Sequence, residues 1–185
     1  IHLQLPEETI DYFKEIALGF EFGGSSEITR KWKSSMKAYL GGTPSSTLQA
    51  KVKQTINDIN KLASDGFSIE TVTDFRQSNC FMFFGSQSEF MEAFPNIEIG
   101  SNFGYVAVGI TNDVIDRALI FVDTNRPTET QQKSIILEEI TQALGLGKDS
   151  PRFPESIFYE TSSEGGYATE YSEIDRELVR LLYHP

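Results

Sequence analysis

The residues best placed to do chemistry lie in one stretch, Leu137-Glu138-Glu139-Ile140-Thr141-Gln142-Ala143-Leu144-Gly145-Leu146-Gly147-Lys148-Asp149. Helical spacing sets Glu138 and Gln142 one turn apart on the same face, with Glu139 at the edge of that face. Adjacent carboxylates repel, so either a cation offsets them or water solvates them. Together with Asp149 their oxygens suit a hard cation such as calcium or magnesium. The plainer expectation is a solvated stripe, in which Glu138 and Glu139 face water while Ile136, Ile140, Ala143 and Leu144 face the core.

Composition removes most other chemistries. His2 and His184 are the two histidines of the 185 residues and sit at opposite ends, so no three-histidine site and no internal histidine base can form. Ser156 and Ser172 therefore have no partner for a Ser-His-Asp hydrolase. The single Cys80 excludes an intramolecular disulfide and a thiolate-rich zinc or iron-sulfur site, and its apolar surroundings mark it as an inert core thiol. Twenty-seven acidic against 16 basic side chains give a formal charge of −11. Apart from the short Arg30-Lys31-Trp32-Lys33 patch no basic run exists to neutralise phosphates, which argues against nucleic acid. No apolar run reaches the roughly 18 residues of a membrane span. The chain starts at Ile1 with no initiator methionine, as a processed product would.

The elements that must position these residues follow from periodicity. Pro6 to Gly19 reads as a packing helix with Glu7 and Glu8 in its first turn, followed by a turn at Gly23-Gly24-Ser25-Ser26. Met36 to Leu40 reads as a strand closed by Gly41-Gly42, and Leu48, Val52, Ile56, Ile59 and Ala63 form the apolar stripe of an amphipathic helix. Phe67 to Val72 alternates as a strand, and Cys80 to Phe84 suits a strand buried on both faces. Ser86 and Glu89 form a capping box opening a short helix to Phe94. Gly104 to Ile110 and Asp116 to Val122 read as a hairpin turned at Thr111-Asn112-Asp113. A helix from Glu129 to Leu146, an irregular stretch to Thr169 and a helix capped by Ser172 complete one mixed α+β domain. Trp32 reads as a core or edge anchor, Phe81, Phe83 and Phe84 as core, and Tyr159, Tyr167 and Tyr171 as packing beneath a long loop.

Glu138-Glu139-x-x-Gln142-x-x-Gly145-x-x-Lys148 resembles the H-E-x-x-H-x-x-G-x-x-H zinc signature of the metzincin metalloproteases with every ligand position replaced. Upstream, Ala118-Leu119-Ile120-Phe121-Val122 resembles the hairpin before the active-site helix in matrixin-like members. Downstream, Glu155-Ser156-Ile157-Phe158-Tyr159 resembles a Met-turn with Phe158 at the methionine position, and Tyr171 to Asp175 with Leu181-Leu182-Tyr183 resembles the C-terminal helix. These pieces cover Gly104 to Tyr183. More closely, Glu-Glu-x-Thr-Gln-Ala-Leu-Gly-Leu followed by Asp149-Ser150, with Ile28-Thr29-Arg30-Lys31-Trp32 before it, resembles a bacterial family of exported, metzincin-like proteins of unknown function.

The resemblance implies an α+β, metzincin-like (zincin) fold: a mixed twisted sheet with packing helices, an active-site-type helix over 129–146, a Met-turn-like segment and a C-terminal helix. It implies one domain over 1–185, with an N-terminal helical extension at 1–30, sheet and helices at 31–146 and a lower subdomain at 147–185. Carried across by position, the degenerate ligands are Glu138, Gln142 and Lys148, and Glu139 keeps the place of the general base. An amide and an ammonium are a poor zinc set, so no tight zinc is expected. Lys148 is expected to neutralise Glu138 or Glu139 and tie the helix to the following loop, without necessarily adding stability. The implied protein is an exported, catalytically inactive domain that binds a protein or peptide by strand addition at the sheet edge 104–110. The alternatives are a divergent metallopeptidase with Glu139 as base and a non-histidine metal site, and a purely structural envelope component.

Overall fold

Two glycine-poor, aromatic and β-branched runs sit at the centre of the sheet, and the helices follow from where its apolar faces need cover. The computed structural model describes residues 5–20, 24–25, 27–161 and 167–185. Strands β3 (Lys31–Trp32), β4 (Met36–Gly42), β5 (Ile69–Val72), β6 (Cys80–Gly85), β7 (Gly104–Thr111) and β8 (Val114–Asp123) form one sheet. Its order is β5-β4-β6-β8-β7, with β4, β5, β6 and β8 parallel and β7 antiparallel at the edge. The two-residue β3 runs parallel to the start of β8, pairing Lys31 with Val114 and Trp32 with Ile115. Strands β1 (Gly19–Phe20) and β2 (Gly24–Ser25) form a separate small ladder.

Helices α1 (Glu7–Ala17), α2 (Ser46–Leu62), α4 (Glu129–Ala143) and α5 (Glu173–Leu182) share the main core, and α3 (Gln87–Ala93) lies on the opposite face. The α2 stripe of Leu48, Val52, Ile56 and Ile59 packs against inward residues such as Met36, Ala38, Met82 and Phe84. Phe90 of α3 covers a smaller cluster with Ile99 and Phe121, flanked by Phe83, Phe94 and Tyr105. The expected caps form: Ser86 with Glu89 at α3, and Ser172, joined by Asp175, at α5. Thr128 with Gln131 adds a third capping box, at α4. The β7–β8 turn has positive φ at Asn112 (50°) and Asp113 (61°), the two left-handed residues of a type I′ hairpin.

Several expectations change. The helix expected over Pro6 to Gly19 forms over Glu7–Ala17, and after Leu18 the chain enters β1 at Gly19. Of the Gly23–Ser26 turn, Gly24–Ser25 form β2, while Gly23 and Ser26 lie outside the described residues, as does His2. Strand β6 is not buried on both faces, because Phe81 and Phe83 are only half-buried on the side that α3 covers incompletely. The active-site-type helix ends at Ala143, three residues before Leu146, because Gly145 takes φ +121° and turns the chain.

That glycine is set by sterics twice over: φ +121° disfavours any side chain, and a Cβ there would overlap the Arg30 carbonyl oxygen. Gly66 also has positive φ (+94°), but a Cβ there meets nothing within 4 Å. Gly145→Ala should therefore lower stability by about 2–4 kcal/mol and Gly66→Ala by about 1 kcal/mol, a difference that urea unfolding midpoints resolve.

Candidate functional site

Helix α4 carries the site, and it is buried nearly all round over its C-terminal two-thirds, from Ser134 to Ala143 with half-buried Glu138 as the exception. It packs between the β7–β8 hairpin and α2. The solvated-stripe expectation fails for this reason: Glu139 is 8% exposed and Gln142 3%. Glu139 reaches the first residue of β7, where a Cβ on Gly104 would overlap its Oε1 and crowd Ile135. A glycine is what lets the edge strand start against this carboxylate.

The end of α4 is held by side chains remote in sequence. The Trp32 indole Nε1 donates to the Ala143 carbonyl (2.8 Å), and the Tyr183 hydroxyl donates to the Leu144 carbonyl (2.8 Å). The two capping residues also meet, the Trp32 amide donating to the Tyr183 hydroxyl at 3.4 Å. These bonds satisfy carbonyls that a helix end leaves without intrahelical donors. Thr141 donates to or accepts from the Tyr171 hydroxyl (2.6 Å), so Tyr171 packs, while Tyr167 stands exposed.

Beyond Gly145 the chain turns back along the molecule. The Lys148 amide donates to the Ile16 carbonyl (3.2 Å), and Gly147 bridges Phe20 of β1. Lys148 and Asp149 are both half-buried. The Gln142 amide donates from Nε2 to Asp149 Oδ1 (2.9 Å), so two of the sequence-singled positions are brought together. Glu138, Gln142 and Lys148 thus offer a carboxylate, an amide whose NH2 is turned to a carboxylate, and an ammonium. This set does not fit zinc, which takes imidazole, thiolate or carboxylate donors. Among the described residues no three His, Cys, Asp or Glu side chains group as metal ligands. Cys80 is fully buried, its thiol pushed up to about 12 by desolvation.

Phe158 is fully buried, and its carbonyl accepts from the Ser150 amide (2.9 Å). Beneath it lies a polar cluster joining three segments. Tyr12 of α1 donates to Ser156 Oγ (2.9 Å), and Ser156 donates to Asp175 Oδ1 (2.6 Å). Asp175 also accepts from the Ile157 amide (3.2 Å) and from the Ser172 amide (2.9 Å) and hydroxyl (2.7 Å). Ser172-x-x-Asp175 is legible as a capping box. Its second task of fixing the Phe158 turn is not, because Ser156 and Tyr12 join it only through the tertiary fold.

The topology, the α4–turn–α5 order and the burial of the site define a metzincin-like α+β fold. Two structures of myroilysin share it. One matches with TM-score 0.53 and 14% identity, covering 84% of this chain and 96% of that one. The other matches with TM-score 0.56 and 13% identity, covering 98% and 97%. At such identities the likeness shows the fold alone. Residues 6–185 match the family described as "Protein of unknown function (DUF2927)", and the chain belongs to that family. No curated protein matches it. No helix among the described residues is long and apolar enough to cross a membrane.

Burial raises the Asp175 pKa above its ordinary 3.8, outweighing the hydrogen bonds from Ser156, Ser172 and Ile157 that favour the anion. The folded state therefore holds this proton more tightly than the unfolded state. The stability Asp175 contributes is full below pH 3.8 and is lost as pH rises through the raised folded value. Asp175→Asn mimics the neutral form, with its amide oxygen facing Ser172 and its NH2 facing a rotated Ser156 hydroxyl. Between pH 3.8 and neutrality, wild type should lose stability relative to Asp175→Asn in parallel urea titrations. Asp175→Ala, which orphans several buried donors, should cost about 1–3 kcal/mol at every pH.

Proposed function

We propose that this chain is an exported bacterial pseudo-metalloprotease domain: it keeps the metzincin-like scaffold, has lost metal-dependent hydrolysis, and binds an extended protein or peptide segment along β7. The observation that carries the reading is the donor set at Glu138, Gln142 and Lys148, where Gln142 is engaged with Asp149. In this reading the Lys148 ammonium supplies the positive charge that a metal would bring beside Glu138 and Glu139, and Glu139 is a remnant of the base position. Binding would use strand addition, since among the described residues the outer side of β7 pairs with no other strand. The short distance from that edge to α4, set by Gly104 against Glu139, would place a bound segment beside the inherited cleft.

The test combines two measurements on the same protein. After incubation with zinc, calcium, magnesium or manganese, calorimetry should show no tight uptake and a peptide-library digest no cleavage. Peptides selected from that library by binding should slow amide exchange at residues 104–110. Cleavage that is abolished by both a chelator and Glu139→Gln would overturn the reading in favour of a divergent metallopeptidase. Bound peptides that leave 104–110 unprotected would overturn the assignment to β7.

A further inference from the structure

At the margin of the sheet opposite β7 the strands end unevenly. Strand β4 continues to Gly42, but β5 pairs with it only as far as Val72 against Tyr39, so Leu40, Gly41 and Gly42 outrun their neighbour. The Met36 amide donates to the Ser68 carbonyl on the β5 side (3.0 Å), and the Thr43 amide donates to the Phe84 carbonyl on the β6 side (3.1 Å). Backbone groups alternate between the two sides along a strand, so the Leu40 carbonyl and the Gly42 amide point toward the line of β5 beyond its end. Among the described residues no strand lies there. The space is an open cavity of about 740 Å3, bounded by Leu40 on β4, by Thr71, Val72 and Thr73 at the end of β5, and by α2.

The fold already shows what this edge pairs with. Asn60 of α2 bonds both backbone groups of Ile69, the first residue of β5: its Oδ1 accepts from the Ile69 amide (2.8 Å) and its Nδ2 donates to the Ile69 carbonyl (2.9 Å). An amide thus stands where a further strand would lie. As the crossover between two parallel strands, α2 runs back along β5, and Asn57, Lys53 and Gln49 follow Asn60 at roughly one-turn steps to line the cavity. At helical rise Lys53 lies about 10 Å back from Asn60, and at strand rise Thr73 lies about 13 Å on from Ile69. Lys53 is therefore beside the end of β5, where the gap begins.

Charge at the gap has one sign left over. Lys53 is exposed, is the single charged residue lining the cavity, and forms no ion pair among the described residues. The acids beside it are already engaged. Glu70 alternates to the other sheet face from Ile69 and meets Lys37 there (3.9 Å). Asp74 accepts from the Arg76 amide (3.0 Å) and from its Nε and Nη2 (3.0 and 2.9 Å). A carboxylate entering the gap would therefore meet an ammonium whose charge no other acid offsets. The floor beneath, Val52 and Ile56 with Leu40 and Val72, is apolar. Because the gap is closed at one end by Thr73, it admits the end of a chain, whereas a strand passing through would run into β5.

We infer that this gap binds the C-terminal end of an extended polypeptide from another protein, with an amide of that chain pairing to Leu40 and Gly42 and its terminal carboxylate beside Lys53. The site lies at the opposite margin of the sheet from β7 and does not rest on peptide binding there. Fluorescence anisotropy tests it with a fluorescein-labelled pool of random hexapeptides ending in valine, prepared with a free C-terminal carboxylate and as the C-terminal amide. The free acids should bind saturably, and amidation should weaken them about three- to tenfold. Lys53→Gln, at an exposed position, should weaken the free acids by the same factor and leave the amides unchanged. Bound free acids should slow amide exchange at Gly42 and leave residues 104–110 as they are in the free protein. Absence of saturable binding, or equal affinity for acids and amides, overturns the inference. Slowed exchange at 104–110 with none at Gly42 places the peptides on β7 and overturns this site alone. A dimer in sedimentation that the peptides dissociate assigns the gap to a second copy instead.

Discussion

Everything that places the candidate site depends on how the C-terminal end of α4 is finished. A buried helix end exposes carbonyls that water cannot reach, and leaving them unpaired is costly. Here the Trp32 indole takes Ala143 and the Tyr183 hydroxyl takes Leu144, while Gly145 reverses the chain against the Arg30 carbonyl. One element thus ties the two-residue strand β3, the end of α5 and the site helix together. The position of Lys148 and Asp149 follows from it, because both come within four residues of the turn.

Burial explains what became of the polar positions on that helix. In water Gln142 would need nothing, but at 3% exposure its amide needs a fixed partner. Gln142 satisfies this with a neutral amide whose NH2 serves the Asp149 carboxylate. An amide has both donor and acceptor faces, so it can serve an acid that a metal ligand of the same length would only repel. One oxygen of Asp149 is thereby engaged by a neutral NH2 group.

Much of this was legible in the sequence, and the reasons for the rest are physical. The parallel strands, the hairpin and the α-helices α1 to α5 lie close to where apolar period and capping residues put them, because those signals are local. Ser86–Glu89 and Ser172–Asp175 are spaced three apart and form as spaced. The strand β3 was not legible, since two residues carry no period, and Trp32 shows its role only when Ala143, 111 positions away, is brought beside it. The solvated stripe on α4 does not form because charge type is a poor guide to exposure where the neighbours that bury Glu139, such as Gly104, arrive from another strand. The Phe81 and Phe83 side of β6 is only half-buried, because an apolar run does not say how far a short covering helix extends.

A chain with eleven excess negative charges also has to bury some of its acids, and it does so in two ways with different consequences. Asp123, at the end of β8, is fully buried but meets Arg126 Nε at 2.5 Å and the amides of Asn125 (2.8 Å) and Arg126 (3.1 Å). The same guanidinium reaches the Asn102 carbonyl and lies over Phe103, so the charge is compensated and the loop before β7 is fixed by the pair. Asp175 is equally buried, yet among the described residues it is met only by hydroxyls and amides and by no Lys or Arg ion pair. Neutral donors stabilise an anion less than a cation does, so desolvation wins and the carboxyl favours its proton. The hairpin that presents the β7 edge is thereby anchored by a pair of opposite charges, whereas the Phe158 turn and α5 are joined through a group whose charge depends on pH. Acidification should then tighten the lower segment, where Asp175 takes up its proton.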